Sequence, residues 1–346
     1  MSKSRVLYFD LLNILATAAV VFLHCNGTVH TYAPGKSWAF SLVIEVAFYW
    51  AVPIFFMLTG AKTMNYRAKR TTGAFLKARM LRIFMPFLVW SAIIFVLRFG
   101  ILGPNPSLNF SLGGFYQGLM SNSIEPTYWF FFAMFAVTMS MPILSLIKDN
   151  KRAMWYMVIC SFGLISVLPY LAGFLGIAWN AGITISVASG YIMYVLLGWL
   201  LADKDFNLSK RALYSIYAAG ALCLVIRYVY TYVSSTALGS VDRLLFDYMA
   251  FTAVLPSVAL FLLFKNNEHR FNGLKVHAKA ITTISGASFG IYLIHKIVLD
   301  NVVVGFFGVP MDSFFLKTLG ALGIYLVCLA IVLLLKKIPL INKILP

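Results

Sequence analysis

Charged residues are scarce in this sequence, and acidic residues are the scarcest of them. Only 11% of its 346 residues are charged, and 11 Asp and Glu stand against 28 Lys and Arg, so the formal net charge is +17. Hydrophobic residues make up 61% of the chain, and its mean hydropathy is +0.86. This composition excludes an ordinary basic soluble domain, and we expect no nucleic-acid partner.

Cysteine and histidine are also few, and their spacing argues against two kinds of site. The four cysteines lack Cys-x-x-Cys spacing and lie in apolar stretches, which indicates buried thiols and no disulfide framework. The five histidines lack the spacing of metal ligands, so we predict no metal site. No low-complexity tract, internal repeat or soluble segment is visible. Residues 1–346 are therefore predicted to form a single integral-membrane domain.

Lys and Arg gather in six clusters that hold 22 of the 28 basic residues. Almost every stretch between two neighbouring clusters contains two long apolar segments. Basic residues at alternate turns are the positive-inside pattern of a polytopic membrane protein. The pattern predicts that the N- and C-termini are cytoplasmic. The clusters lie at 3–5, 62–82, 148–152, 204–211, 265–279 and 336–343.

Ten apolar segments reach the length that a membrane span requires. A helix needs roughly 20 apolar residues to cross about 30 Å of hydrocarbon. The sequence therefore predicts an all-α polytopic membrane protein with about ten transmembrane helices, embedded in the lipid bilayer. The connection 103–126, rich in Gly, Pro, Asn and Ser, is expected to be irregular surface. The predicted spans are 7–27, 39–61, 83–102, 127–147, 153–174, 181–202, 212–234, 245–264, 281–300 and 314–335.

Two histidines lie deep inside predicted spans, where an ionisable side chain is costly and usually functional. His24 follows Arg5 by 19 residues and His295 follows Lys279 by 16. These separations place them about 28 and 24 Å along their helices, in the outer half of the bilayer. Either histidine could instead be structural and bonded to a neighbouring helix. Other polar or ionisable residues within the spans are Asp10, Asn13, Glu45, Arg227, Asp247 and Asp300.

Arg79 and Arg82 are three residues apart and share one face of a helix that enters the membrane. One interpretation is positive-inside anchoring. The other is a phosphate clamp, because guanidinium groups bind phosphate in a bidentate manner. The spacing alone leaves both interpretations open.

Five segments, in order along the chain, resemble one family. They are YFDLLNILATAAVVFLH (8–24), VPIFFMLTG (52–60), KARMLRI (77–83), YWFFFAMFAVTMSMPIL (128–144) and SFGIYLIH (288–295). Together they resemble the acyltransferase-3 family of integral-membrane acyltransferases, which modify bacterial surface glycans. Within it, the chain is most similar to short stand-alone enzymes such as the enterobacterial common antigen O-acetyltransferase.

The resemblance assigns roles to particular residues. It implies that His24 is the catalytic base and that Arg79 and Arg82 hold the phosphates of the acyl donor. Asn13 stands where members commonly carry an arginine, and Thr127 stands where they often carry a histidine. Three further residues in matching segments are candidates for substrate binding: Asn13, His295 and Trp129, the last of which could also be a packing or interfacial residue.

The resemblance also implies a reaction. An acyl group, most readily acetyl, would pass from cytosolic acyl-CoA to a hydroxyl of a cell-surface or lipid-linked glycan, across the bacterial plasma membrane. One alternative is a glycan or small-molecule transporter or flippase, although no inverted repeat is visible. Another is a non-enzymatic subunit of a polysaccharide synthase. The sequence leaves open the acceptor, the acyl group and the oligomeric state.

Overall fold

The structure is a computed structural model that describes residues 6–101, 108–339 and 341–345. These residues form helices joined by turns and contain no strand. The basic cluster at 3–5 and the first part of the connection after 101 lie outside the described residues. The α-helices are α1 (Leu7–Cys25), α2 (Lys36–Phe48), α3 (Ala51–Thr63), α4 (Thr72–Arg79), α5 (Met85–Phe95), α6 (Leu112–Met120), α7 (Trp129–Leu144), α8 (Lys151–Ser161), α9 (Leu168–Phe174), α10 (Ile192–Ala202), α11 (Lys210–Leu238), α12 (Phe251–Asn266), α13 (Ala278–Ile297) and α14 (Ala321–Leu335).

Several of these helices run on into one another through short segments of different pitch. Single-turn π segments often occur within longer helices and near functional sites. Here they join α4 to α5 and α8 to α9, and they extend α5, α13 and the start of α14. The π segments are Met80–Phe84, Val96–Ile101, Phe162–Val167, Val298–Phe306 and Leu316–Gly320. The 3₁₀ segments are Gly27–His30, Tyr66–Ala68, Pro126–Tyr128, Ser186–Ala188, Glu268–His277 and Ile341–Lys343.

Eight continuous helices in the described part of the chain are long and apolar enough to cross a membrane. This confirms the predicted all-α polytopic fold. The third of these continuous helices starts with α4 at Thr72, eleven residues before the predicted start of its span. Thr71 caps it there by accepting a hydrogen bond from the Ala74 amide. The eight are Leu7–Cys25, Lys36–Ala68, Thr72–Ile101, Pro126–Leu144, Lys151–Phe174, Lys210–Leu238, Ala278–Phe306 and Leu316–Leu335.

The remaining two predicted spans are shorter than expected. α10 has 11 residues and α12 has 16, which correspond to about 16 and 24 Å, less than the hydrocarbon thickness. The predicted spans 181–202 and 245–264 both begin in turns, and only their later parts are helical. Non-helical backbone at membrane depth is tolerated where it is buried in protein or lines a cavity. The connection 103–126, expected to be irregular, contains the short helix α6.

Two glycines bring α3 and α10 into backbone contact. A Cβ atom built on Gly60 would lie 1.9 Å from the carbonyl oxygen of Val195, and one on Gly198 would lie 1.9 Å from that of Met57. Small residues allow this close approach between membrane helices. Gly60 is the last residue of the VPIFFMLTG segment, so close packing of α3 against α10 explains why a glycine stands at this position of the segment.

Helix α1 lies at the centre of the bundle and carries the first candidate histidine. It packs against α3, α13 and α14, and half of its residues are buried, including the whole row Leu12, Ala16, Ala19 and Leu23. Its packing against α13 joins two segments that are about 270 residues apart in sequence.

The direction of the chain in the membrane is a prediction that reporter fusions can test. We expect a reporter fused after Lys151 to be cytoplasmic and one inserted at Asn109 to be external, because the basic clusters orient the helices. Alkaline phosphatase and green fluorescent protein fusions report the two sides. Phosphatase activity at Lys151 would contradict this orientation.

Candidate functional site

The structure brings His24 of α1 into direct contact with His295 of α13. Nδ1 of His24 lies 2.5 Å from Nε2 of His295, and the two rings are nearly parallel, with centroids 4.8 Å apart. His295 is fully buried, whereas His24 is partly accessible and lines a cavity. The two candidate histidines therefore form one unit.

The hydrogen bonds around the pair determine which nitrogen carries a proton. Nδ1 of His295 lies 2.7 Å from the Tyr292 carbonyl oxygen and 3.2 Å from that of Ile291. A carbonyl only accepts, so this Nδ1 donates, and in the neutral ring Nε2 is then an acceptor. It accepts the Nδ1 proton of His24. Nε2 of His24 is left with its lone pair, as a general base requires.

The cavity that His24 lines, here called the histidine cavity, has a volume of about 200 Å³. Its lining residues come from helix ends and from the non-helical stretch 240–250, which precedes α12. Aromatic and polar side chains share its walls. They include His30, Glu45, Tyr49, Trp129, Arg243, Phe246, Tyr248 and Tyr292.

A second cavity, the central cavity, lies further along α1 and α13 and has a volume of about 370 Å³. Asn13, Arg79 and Arg82, three of the residues singled out from the sequence, line it. Its apolar walls come largely from Phe130, Phe131 and Phe289 of α7 and α13. Tyr292 lines both this cavity and the histidine cavity, so the two adjoin at this residue.

Asn13 occupies a well-defined position in the central cavity. Its Nδ2 donates to the carbonyl oxygen of Ser285 at 2.9 Å and to the Ser285 hydroxyl at 3.1 Å. That hydroxyl donates to Oδ1 of Asp10 at 2.8 Å. Asn13 thus ties α1 to α13. Arg227, which could supply a positive charge in place of the missing arginine, lies elsewhere, and Lys62 is the further cation at this cavity.

A third and larger cavity, the basic cavity, opens at the end of the bundle that holds the clustered Lys and Arg. Its volume is about 910 Å³, and it shares Lys62, Thr63, Arg79 and Arg82 with the central cavity. Four acidic residues lie among the nine basic ones, and ion pairs with Lys148 and Lys151 occupy two of those acids, Asp149 and Asp203. The basic residues are Lys62, Lys69, Arg70, Arg79, Arg82, Lys148, Lys151, Lys204 and Lys265.

Arg79 and Arg82 stand where α4 gives way to the π segment Met80–Phe84. The guanidinium of Arg79 packs over the ring of Phe75 at 5.6 Å. Among the described ion pairs neither arginine has a carboxylate partner. Both are therefore available to an anion that enters from the basic cavity.

Trp129 belongs to the histidine cavity and not to the central one. Its ring stacks on Tyr248 with a centroid distance of 5.6 Å and an interplanar angle of 25°. Tyr248 in turn stacks on Tyr49 at 4.3 Å and 18°. Three aromatic rings thus form a continuous wall beside His24.

A charged network beyond the histidine pair was not anticipated from the sequence. Arg98 lies 2.9 Å from Glu125 and 3.1 Å from Asp300, which also pairs with Lys296 at 2.7 Å. Glu125 accepts a hydrogen bond from the Thr127 hydroxyl at 2.9 Å. Glu125 was overlooked because it belongs to the connection 103–126, which was expected to be irregular surface.

The position of Thr127, where relatives often carry histidine, has a structural role here. Its carbonyl oxygen accepts a hydrogen bond from the hydroxyl of Tyr292 at 2.5 Å. This backbone contact holds Tyr292, while the Thr127 hydroxyl donates to Glu125. The contact to Tyr292 uses the main chain, so it does not require a histidine at this position.

Ser288 was also missed, since nothing in the SFGIYLIH segment marks its first residue. It lies one helical turn before Tyr292 and lines the central cavity. It is 5% exposed, and its hydroxyl has no hydrogen-bond partner in the described part of the chain. A helical serine usually bonds a carbonyl one turn back, so this free donor is unusual.

Across residues 6–101, 108–339 and 341–345, no group of three or more His, Cys, Asp or Glu side chains is arranged to hold a metal ion.

The model of the Acyl_transf_3 family, described as an acyltransferase domain, matches residues 6–337. No curated protein and no solved structure matches the chain significantly.

Proposed function

This chain belongs to the acyltransferase-3 family, and we propose that it transfers an acyl group, acetyl in the first instance, from cytosolic acyl-CoA to a hydroxyl of a cell-surface or lipid-linked glycan. Family membership makes it an acyltransferase. The donor, the acceptor and its place in the bacterial plasma membrane belong to the proposal, as does its likeness to the stand-alone enzymes that acetylate enterobacterial common antigen.

The charge of the basic cavity supports acyl-CoA as the donor. Coenzyme A carries several phosphate oxygens at its nucleotide end, and guanidinium groups bind such oxygens in a bidentate manner. The volume of about 910 Å³ is at the upper end of the range for ligand pockets, roughly 300–1,000 Å³. The nucleotide would be held there, with its phosphates at Arg79 and Arg82.

The shape of the central cavity supports a narrow arm that continues from that nucleotide. The shared lining at Lys62, Thr63, Arg79 and Arg82 connects it to the basic cavity. Its apolar walls leave room for a thin chain such as pantetheine. A thioester at the far end would arrive beside Tyr292, next to the histidine pair.

The reaction beside Tyr292 needs a general base and a hydrogen-bond donor to the oxyanion of the tetrahedral intermediate. Nε2 of His24 takes the proton of the acceptor hydroxyl while its oxygen attacks the thioester carbonyl carbon. As the tetrahedral intermediate collapses, the C–S bond breaks, and the proton passes to the sulfur of the leaving CoA thiol. His295 holds His24 in the required tautomer through its own hydrogen bond to the Tyr292 carbonyl oxygen.

The observation that carries the proposal is that Tyr292 lines both cavities. A donor in the central cavity and an acceptor beside His24 would then meet at one residue. Purified protein in nanodiscs should release free thiol from acetyl-CoA when membrane glycan is present, as measured with a thiol reagent. A transporter, or a synthase subunit without enzymatic activity, would release none.

Ser288 provides a second test of the donor path. We expect Ser288→Ala to lower kcat/KM for acetyl-CoA about 5- to 20-fold, because its free hydroxyl would hydrogen-bond the donor, and a hydrogen bond contributes about 1 kcal/mol or somewhat more. Steady-state kinetics with varied acetyl-CoA measures this. Ser140→Ala, in which the hydroxyl bonds its own helix on the exposed side of α7, is the control and should match wild type.

A further inference from the structure

We infer that the histidine cavity is the acceptor site, that it takes a single pyranose ring, and that Glu45 is the residue that recognises its hydroxyls. The inference rests on the proposed function, since it names the acceptor that His24 would activate. It depends on the burial of Glu45, on the charges behind it and on the aromatic wall.

Glu45 is a buried carboxyl that faces the cavity with unused hydrogen-bonding capacity. It is 4% exposed and lines the cavity together with His24. In the described part of the chain its Oε2 has no hydrogen-bond partner. Buried polar atoms are almost always bonded, so such an exception requires a reason. A ligand hydroxyl that donates to Oε2 would provide the missing bond.

A buried positive charge lies behind the aromatic wall, close to this carboxyl. Arg227 of α11 is 1% exposed and its guanidinium lies 3.4 Å from the centroid of the Tyr49 ring. It interacts electrostatically with Glu45. A carboxylate accepts stronger hydrogen bonds than a neutral group does. Oε2 of Glu45 is therefore suited to accept a hydrogen bond from a ligand hydroxyl.

The other charged or titratable groups at the cavity leave it close to neutral. Arg243 at the cavity and Arg227 behind its wall contribute two positive charges. The carboxylates of Glu45 and Asp247 oppose them. His30 lies beside Arg243, and burial together with the charge of Arg243 lowers the pKa of its imidazole, so it is uncharged at pH 7. A neutral sugar fits this balance better than a strongly anionic one.

The aromatic wall supplies the surface that a sugar ring requires. Tyr49, Tyr248 and Trp129 stack in succession, and all three line the cavity. Aromatic faces carry partial negative charge, which attracts the polarised C–H groups on the flat side of a pyranose. A carboxylate at one edge and aromatic faces along the side form a recognition surface for one ring.

The size of the cavity sets a limit on the acceptor. About 200 Å³ is below the roughly 300 Å³ at which sites for drug-sized ligands begin. One sugar residue fits, and the rest of the glycan must stay outside the opening. The enzyme would therefore modify an exposed or terminal residue of its acceptor.

The test uses protein in nanodiscs, acetyl-CoA and a panel of methyl pyranosides as acceptor probes. Thiol release is measured with and without each pyranoside, because release without an acceptor reports donor binding and slow transfer to water. At least one pyranoside should accelerate release by wild type. Glu45→Gln should lose at least 10-fold of the pyranoside-dependent kcat/KM while binding acetyl-CoA with the wild-type dissociation constant, since a site built around substrate hydroxyls discriminates strongly when a bond is lost.

Asp312→Asn is the matched control, because it removes one negative charge from an exposed position outside the cavity. It should retain both rates. Equal stimulation of Glu45→Gln and wild type would overturn the role of Glu45. A wild type that releases thiol but responds to no pyranoside would overturn the acceptor class. Absence of any thiol release by wild type, with or without membrane glycan, would instead count against the proposed function itself.

Discussion

His24→Ala is expected to lower kcat for acyl transfer by at least about 100-fold, the contribution that a positioned general base commonly makes. Binding of acyl-CoA should stay nearly unchanged, because a base acts in the transition state and not in donor capture. The structure places this histidine at the histidine cavity, with its Nδ1 engaged by His295. Turnover and the equilibrium dissociation constant for acetyl-CoA are the two measurements.

His295 serves as the comparison within the pair. His295→Ala should reduce kcat less, by about 10-fold, because it removes the group that orients the base and leaves the base itself. His295→Gln should recover part of that loss, since its amide oxygen can accept the Nδ1 proton of His24. His269→Ala changes an exposed histidine outside the three cavities and should have no effect. If His295→Ala abolished activity and His24→Ala did not, the base would have been assigned to the wrong residue.

Arg79→Ala and Arg82→Ala are each expected to raise the KM for acyl-CoA about 10- to 100-fold with little change in kcat. Hydrogen bonds to charged groups contribute about 1.5–3 kcal/mol, and a contact that is equal in the ground and transition states affects KM alone. Arg→Lys at either position should recover the loss only in part, because the bidentate fork is absent from lysine. Donor titrations at fixed acceptor concentration measure both constants.

The control for this pair is Arg152→Ala, which removes an exposed basic residue of the neighbouring cluster that lines none of the three cavities. It should match wild type in KM. If both clamp variants also did so while expressing normally, Arg79 and Arg82 would be topology anchors only. This experiment separates the two interpretations that their spacing left open.

Much of the architecture could be predicted because hydrophobic length is a local property of the sequence. All-α spans follow directly from runs of apolar residues, and the structure confirms them. The exceptions are the predicted spans that contain α10 and α12. The first part of each resembles a membrane span in composition, but its backbone forms turns, and the α-helix begins later. Hydropathy measures transfer into lipid, and it does not distinguish a lipid-facing helix from apolar backbone that lines a cavity within the protein.

The candidate site was only partly predictable for a related reason. The family resemblance assigned His24, Arg79 and Arg82, and the structure places the two arginines at one cavity and the histidine at the next. Ser288 and Glu125 were missed because their significance lies in partners, or the absence of partners, across the bundle. Such relationships depend on packing between helices that are far apart in sequence, which no local pattern encodes.

The place of Tyr292, where the central and histidine cavities adjoin, has a consequence for the cell. A protein with a continuous open path from the basic cavity to the histidine cavity would leak protons and solutes and would dissipate the ion gradients across the membrane. Tyr292, anchored to the Thr127 carbonyl oxygen, lies where the two cavities adjoin. Under the proposed function, a closed path at this residue would let only the acyl unit cross, and cleavage of the thioester would drive the transfer without any need for the membrane potential.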